Sequence, residues 1–305
     1  METTQKPKEI IGHLMVLSTI VIYSFNTNFM KILMPEWIGP HGLVLIRCTV
    51  MAFGFWIISL FIPANKQQAK PKRKDILMMM LGGLLGIGGN LLLYINGLNI
   101  TGPVDAFVIR TVQLAVLILH ADFNRYKAIG IILGLAGTLY VSITPHTGVV
   151  KDSFTGDVLI FVASVFNALY LILIKPYTQK FNSIIVMRWM SLAAFILVLP
   201  FGLHQALKAP LFTSEAPVHI WLELGFVLIL ATMIAYFLNL KALLYISPFV
   251  ESVYIYLLPI TGAIVSISLG LQKFSWHDPI ALVLIIAGFA LINKKKKVKV
   301  VINKS

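Results

Sequence analysis

The chain has 305 residues, of which 58% are hydrophobic and only 12% are charged, a composition that excludes an ordinary soluble globular domain. Its formal net charge of +13 would suit a nucleic-acid-binding protein. However, the basic residues lie in the tails and in short connections between apolar runs, so no nucleic acid is expected as a partner. The single cysteine, Cys48, predicts no intrachain disulfide, and no Cys/His cluster has metal-ligand spacing.

Ten apolar runs follow one another along the chain, most of them about as long as a helix that crosses a bilayer. Because backbone groups find no water in lipid, each run is predicted to be a helix, and the fold class is an all-α integral membrane protein. The first run is too long for a signal peptide and is expected to be retained. The predicted segments, numbered 1 to 10, are residues 10–33, 43–62, 76–98, 104–120, 128–144, 157–174, 183–203, 219–245, 248–271 and 279–293.

The two halves of the chain carry similar residue patterns. Residues 12–31 match residues 156–175, which lie 144 positions later, and residues 97–103 match residues 242–248, which lie 145 positions later. This spacing predicts a duplication in which each half holds five transmembrane helices. An odd number of helices per half inverts the second copy in the membrane, an arrangement typical of secondary transporters.

A candidate linker, residues 145–156, separates the two halves. Residues 1–144 are predicted to form the first five-helix repeat with a cytoplasmic N-terminal tail, and residues 157–305 the second repeat with a basic cytoplasmic C-terminal tail. With both termini inside, seventeen lysines and arginines lie on the cytoplasmic side and three in the outer loops. This bias favours ten helices with both ends in the cytoplasm.

Particular residues in each half resemble the drug/metabolite transporter superfamily, and specifically its EamA-type ten-helix permeases. They include Asn26 and Lys31 in segment 1, the paired Arg47 and Arg188, and the closing pattern GIILGLAG from Gly130. The resemblance covers roughly residues 12–297. It implies a permease of the cell (inner) membrane that works by alternating access, often as an exporter of amino acids, metabolites or drugs.

The first half departs from the family pattern in segment 4. The match of residues 136–137 to residues 287–288 has an offset of 151, so six residues are missing between Pro103 and Gly137. Leu114 stands where the second half has Pro259. The short segment keeps a second interpretation open, in which the protein is a non-transporting membrane scaffold or lipid-handling subunit on the same fold.

Ionisable residues within apolar segments are the first candidates for function, because a charge inside a bilayer is costly. Asp105 and Glu251 lie just inside segments 4 and 9 and are the candidates to couple or gate transport, although the favoured role is that of an acid stabilised by the helix dipole. Arg110, with Gln113 nearby, is predicted either to bind an anion or to make an interhelical hydrogen bond or ion pair, for example with Asp105. For Arg47 and Arg188, snorkelling to the interface is the favoured role.

Uncharged polar side chains near the middle of several segments are predicted to bind substrate in a water-filled cavity, or to hydrogen-bond between helices. The predicted substrate-binding residues are Asn26, Asn90, Tyr94, Arg110, Gln113, Asn167, Tyr170, Tyr236, Asn239 and Tyr254.

The expected partners are membrane lipid and a small-molecule substrate, and the intramembrane cations hint that this substrate is anionic or zwitterionic. A homodimer is left open. No Walker, Rossmann, HExxH or nucleophile-elbow motif is present in the sequence, so we expect no cofactor, no ATP and no enzymatic activity.

Overall fold

The computed structural model of the protein describes residues 5–61, 70–100, 154–213 and 216–270, with short pieces between 128 and 136 and between 280 and 291. All regular secondary structure in this part of the chain is helical. Segment 4 lies outside the described residues, as do all but short pieces of segments 5 and 10.

Seven long helices make up the described part of the chain. Six of them, α1 to α6, are long and apolar enough to cross a membrane, which confirms the predicted all-helical membrane fold. A single-turn helix, Pro210–Thr213, lies between α5 and α6. The long helices are α1 (Gln5–Leu33), α2 (Pro40–Leu60), α3 (Arg73–Ile100), α4 (Phe154–Lys180), α5 (Ser183–Leu207), α6 (Val218–Ala242) and α7 (residues 248–268).

Three of the long helices are irregular along part of their length. α3 is π-helical over Leu84–Gly89, and α6 is π-helical over Phe226–Ile234. α7 tightens to a 3₁₀-helix over Tyr254–Leu257. Pro259 lies two residues after this stretch and has no backbone N–H to donate to the carbonyl of Ile255, which explains why regular α-helix is interrupted there.

The two ends of the bundle are held differently. At the end where α1 begins, which we call the proximal end, Lys180 Nζ at the end of α4 lies 2.8 Å from Asp75 Oδ1 in the first turn of α3. At the opposite, distal end, Gln205 Oε1 of α5 accepts hydrogen bonds from the backbone N–H groups of His41 and Gly42. Gln205 thereby caps the free N-terminal amides of α2, which packs along α5.

Helices α3 and α5 approach each other closely at a glycine. A Cβ atom added at Gly83 would overlap the backbone carbonyl of Met190. Small residues permit such contacts between backbones in lipid, where van der Waals packing takes the place of the hydrophobic effect. The position of α3 against α5 therefore depends on the absence of a side chain at Gly83.

The favoured snorkelling role of Arg47 is wrong. α2 begins at Pro40, so Arg47 lies two turns into the helix, and its side chain is only 2% exposed. Its guanidinium points into the bundle, where Nε donates to Thr232 Oγ1 at 2.8 Å and Nη1 contacts Met30 Sδ at 3.3 Å. Arg47 therefore joins α1, α2 and α6.

Lys175 directly follows predicted segment 6, where a lysine is expected to close the helix and snorkel to the interface, but the structure places it differently. α4 continues through Pro176 to Lys180, so Lys175 is more than a turn from the helix end. Its ammonium donates to the carbonyl oxygens of Leu243 at 3.2 Å and Ile246 at 2.6 Å, just after α6. The positive charge of Lys175 therefore satisfies free carbonyl groups that follow the C-terminus of α6.

Candidate substrate cavity

A narrow cavity of about 50 Å³ lies between five helices of the bundle. This volume has room for a few water molecules, since one water needs about 10–15 Å³. The lining residues come from α1, α3, α4, α6 and α7, and therefore from both halves of the chain. They are Val16, Ile20, Tyr23, Gly86, Asn90, Asn167, Tyr170, Leu171, Tyr236, Asn239, Glu251, Ile255 and Leu258.

The cavity brings together polar residues that are far apart in the sequence. Six of the predicted site residues line it, namely Asn90, Asn167, Tyr170, Tyr236, Asn239 and Glu251. The amide and phenol groups among them each donate and accept hydrogen bonds, which suits recognition of a polar solute. Glu251 is the charged residue in the described lining.

The other predicted site residues fall elsewhere. Asn26 is buried beside Met30 in α1, and Tyr94 is buried in the main apolar core. Tyr254 packs in a second cluster near the proximal end, where its hydroxyl lies 2.6 Å from His13 Nδ1. The remaining three, Asp105, Arg110 and Gln113, lie outside the described residues.

Two asparagines of the cavity have different surroundings. Asn90 Nδ2 donates to the Ala163 carbonyl at 2.7 Å and so ties α3 to α4. The Oδ1 atom of Asn239 is buried and has no hydrogen-bond partner in the described part of the chain. An unpaired buried oxygen is costly, and it is the kind of group that a bound polar ligand can satisfy.

Gly86 shapes one wall of the cavity. A Cβ atom at this position would overlap the ring of Tyr170, so the glycine allows the phenol to pack against the backbone of α3. Glu251 and Tyr236 line the same cavity as Tyr170. The Tyr23 and Tyr236 rings meet edge to face, with centroids 6.3 Å apart. An aromatic and polar surface therefore surrounds Glu251.

Comparison with known proteins shows the family. The sequence profile of the EamA-like transporter family matches the chain twice, over residues 10–143 and 154–294. The chain belongs to the EamA-like transporter family. It is therefore a multi-pass membrane transporter of the drug/metabolite transporter superfamily, as the sequence resemblance implied.

Similar proteins support this assignment over nearly the whole length. The uncharacterized transporter YyaM of Bacillus subtilis is 22% identical over 289 residues, which are 92% of this chain and 93% of that protein. An uncharacterized transporter of Archaeoglobus fulgidus is 25% identical over 297 residues, with 93% and 98% coverage. A solved structure described only as the crystal structure of a protein shares the fold, with a TM-score of 0.72, 18% identity and 92% and 96% coverage.

In this EamA-like transporter, two structural features of Glu251 bear on the interpretations that the sequence left open. It lies in the first turn of α7, which Ser247 caps by accepting a hydrogen bond from the Val250 N–H, so the helix dipole favours an acid there. It is also only 7% exposed and lines the cavity. Its Oε2 atom accepts from Ser252 Oγ at 3.3 Å.

Sequence reasoning missed two features of the cavity of this transporter. Tyr23 lines it, although it was not among the predicted site residues; it lies three residues after Ile20, on the face of α1 that lines the cavity. The irregular stretches of α3 and α7 contribute Gly86 and Ile255 to the lining, and the π-helical stretch of α6 ends directly before the turn that holds Tyr236. Such irregular stretches often mark functional sites in helices.

Proposed function

We propose that this protein carries a small polar solute, such as an amino-acid-like or drug-like metabolite, across the cell (inner) membrane by alternating access. The observation that carries the proposal is the cavity between the two halves. It combines the buried carboxyl group of Glu251 with the amide oxygen of Asn239, which has no hydrogen-bond partner among the described residues. Binding sites between inverted halves are typical of secondary transporters. The repeated family match and the similar spacing in both halves support this arrangement.

The charge distribution supports a cytoplasmic proximal end. Counted with both termini inside, seventeen lysines and arginines lie on the cytoplasmic side against three outside, the bias that the positive-inside rule favours. The cavity is too small in this conformation for a metabolite, since ligand pockets usually have about 300–1,000 Å³. The halves therefore have to separate to admit substrate, and the irregular stretches of α3, α6 and α7 are the hinges that we propose for this motion.

Glu251 has the coupling role in the proposed mechanism. A carboxyl group inside the membrane can exchange its proton when the cavity faces each side in turn, which links solute movement to a proton gradient. The amides of Asn90, Asn167 and Asn239 and the phenols of Tyr170 and Tyr236 hydrogen-bond the solute. No ATP-binding motif occurs in the sequence, so the gradient of the solute or of protons supplies the free energy.

Solute flux in proteoliposomes tests the proposal. The vesicles are loaded with a mixed metabolite pool, with and without a pH gradient, and loss of each compound is followed by mass spectrometry. We expect selective loss of one chemical class relative to protein-free vesicles. Equal retention of every compound in both preparations would instead support the non-transporting scaffold, and it would contradict the proposed function.

The Asn239→Leu variant tests whether the cavity is the path. We expect flux of the transported compound to fall about tenfold or more. This is the effect of losing one hydrogen bond between Asn239 Oδ1 and a charged donor group of the solute. The midpoint temperature of unfolding in detergent should stay the same or rise, because Asn239 Oδ1 has no partner among the described residues to lose.

The matched control for this experiment is Asn90→Leu. That substitution removes the hydrogen bond from Asn90 Nδ2 to the Ala163 carbonyl, which ties α3 to α4, and should lower the midpoint temperature. If Asn239→Leu lowers the midpoint as much as Asn90→Leu and leaves the flux per folded protein unchanged, Asn239 has a structural role and does not bind the solute.

A further inference from the structure

A cluster of side chains on α2 and α5 near the proximal end is separate from the cavity. The guanidinium carbon of Arg188, in the second turn of α5, lies 4.8 Å from the ring centroid of Trp56 and 5.1 Å from that of Trp189. The two indole rings meet at 73°, with centroids 5.8 Å apart. Arg188 Nη1 also donates to Ser59 Oγ at 3.3 Å. The two rings and the serine fix the position of the cation between α2 and α5.

Two N–H groups of this cluster have no acceptor in the described part of the chain. They are Nε of Arg188 and the indole Nε1 of Trp189, and both atoms are buried. Among the described residues, the ion pair at this end of the bundle joins Lys180 to Asp75, and no carboxylate pairs with Arg188. The cluster therefore presents a positive charge and two N–H donors that require an acceptor with negative charge.

The cluster lies near the end of the bundle, at the depth where lipid headgroups are expected. Arg188 is close to the start of α5 and Ser59 to the end of α2, so both lie near the proximal end. Trp56 is 37% exposed, and beyond it Leu60 and Phe61 are 77% and 81% exposed and available to acyl chains. Tryptophan and arginine are both suited to the membrane interface, where the negative groups are lipid phosphates.

We propose that Arg188, Trp189 and Ser59 form a specific binding site for the phosphate of an anionic phospholipid in the leaflet at the proximal end. Trp56, the exposed ring, is the side chain that has to move for a phosphate oxygen to reach the two N–H groups. The guanidinium then donates to the phosphate, and the indole N–H adds a second hydrogen bond. The exposed Lys72, Arg73 and Lys74 at the start of α3 attract anionic lipid to this end without fixing its position.

Lipid retention and thermal unfolding test the site. The full chain is placed in nanodiscs of phosphatidylcholine alone or of phosphatidylcholine mixed with phosphatidylglycerol, and bound lipid is counted by native mass spectrometry. We expect phosphatidylglycerol to be retained selectively and to raise the midpoint temperature. Arg188→Gln should weaken its retention about tenfold, the effect of losing a charge-assisted hydrogen bond. Trp189→Phe keeps a ring beside the guanidinium but removes the N–H, so it should cause a smaller loss.

Two control variants keep the result interpretable. Lys74→Gln removes one exposed positive charge from the same end and should leave selective retention unchanged. Arg188→Lys keeps the charge but lacks the Nε–H and the planar group, so it should bind phosphatidylglycerol as weakly as Arg188→Gln, and it replaces that variant if the latter does not fold.

Three results would overturn the proposed lipid site. The first is an equal loss of retention in Lys74→Gln and Arg188→Gln, which would show only diffuse attraction. The second is no preference of the wild-type protein for phosphatidylglycerol. The third is an equal rise in midpoint temperature when inorganic phosphate is added to phosphatidylcholine nanodiscs, which would show a site for a free anion.

Discussion

The Glu251→Gln variant is expected to lose the response of solute flux to a pH gradient while it still exchanges substrate between the two sides. Glutamine has the size of glutamate and can accept the hydrogen bond that Ser252 Oγ gives to Glu251 Oε2 at 3.3 Å. The substitution removes only the ability of the side chain to ionise. The proposed mechanism assigns the coupling proton to Glu251, because this carboxyl group is 7% exposed and lines the cavity.

The measurement is uptake into proteoliposomes with and without a pH gradient, compared with counterflow of labelled substrate at equal pH. Glu223→Gln is the matched control, since Glu223 lies in the membrane-spanning helix α6 but does not line the cavity. If Glu251→Gln still responds to the gradient and is merely less stable, by the roughly 0.3–1 kcal/mol of a helix-dipole interaction, Glu251 is only a helix N-terminal acid.

The Gly83→Ala variant is expected to be the most destabilised of the single substitutions considered. The added methyl group would overlap the carbonyl of Met190, which is backbone and cannot rotate away as a side chain can. Overpacking of this kind typically costs about 1–3 kcal/mol, and the backbone contact places Gly83→Ala at the upper end. Separation of α3 from α5 would also disturb Gly86, one turn further along α3 in the cavity wall.

Gly225→Ala provides the comparison for Gly83→Ala. Gly225 lies in α6, and a Cβ there meets nothing within 4 Å among the described residues. Alanine favours a helix over glycine by about 1 kcal/mol, so this variant should be as stable as the wild type or more so. Midpoint temperatures in detergent decide the matter: equal midpoints for the two variants would contradict the close packing of α3 against α5.

The sequence predicts much of the cavity because polar residues in long apolar runs are costly without a partner or a function. That argument identifies Asn90, Asn167, Tyr236 and Asn239, which come from three helices and line one cavity. The same argument includes Asn26, Tyr94 and Tyr254, which lie outside the cavity. Helix periodicity alone does not separate these groups, since the rotation of each helix is set by its neighbours.

Other features depend on contacts that no local pattern contains. Arg47 is inside the bundle because Thr232 and Met30, far away in the sequence, accept its N–H groups. Lys175 is fixed by two carbonyls that follow α6, 68 and 71 residues later. The π-helical stretches of α3 and α6 likewise have no signal in hydropathy, which registers length and composition and not the hydrogen-bond ladder.

Protection from a cysteine reagent tests most directly whether the transported solute occupies the cavity. Because Cys48 is the only cysteine of the chain, a Cys48→Ser background allows Ile255→Cys, at an apolar lining position, and, as an exposed control, Lys208→Cys to be labelled one at a time. We expect the transported compound to slow maleimide labelling at position 255 and not at position 208. Equal labelling rates at position 255 with and without the compound would place the substrate path elsewhere and contradict the proposed site.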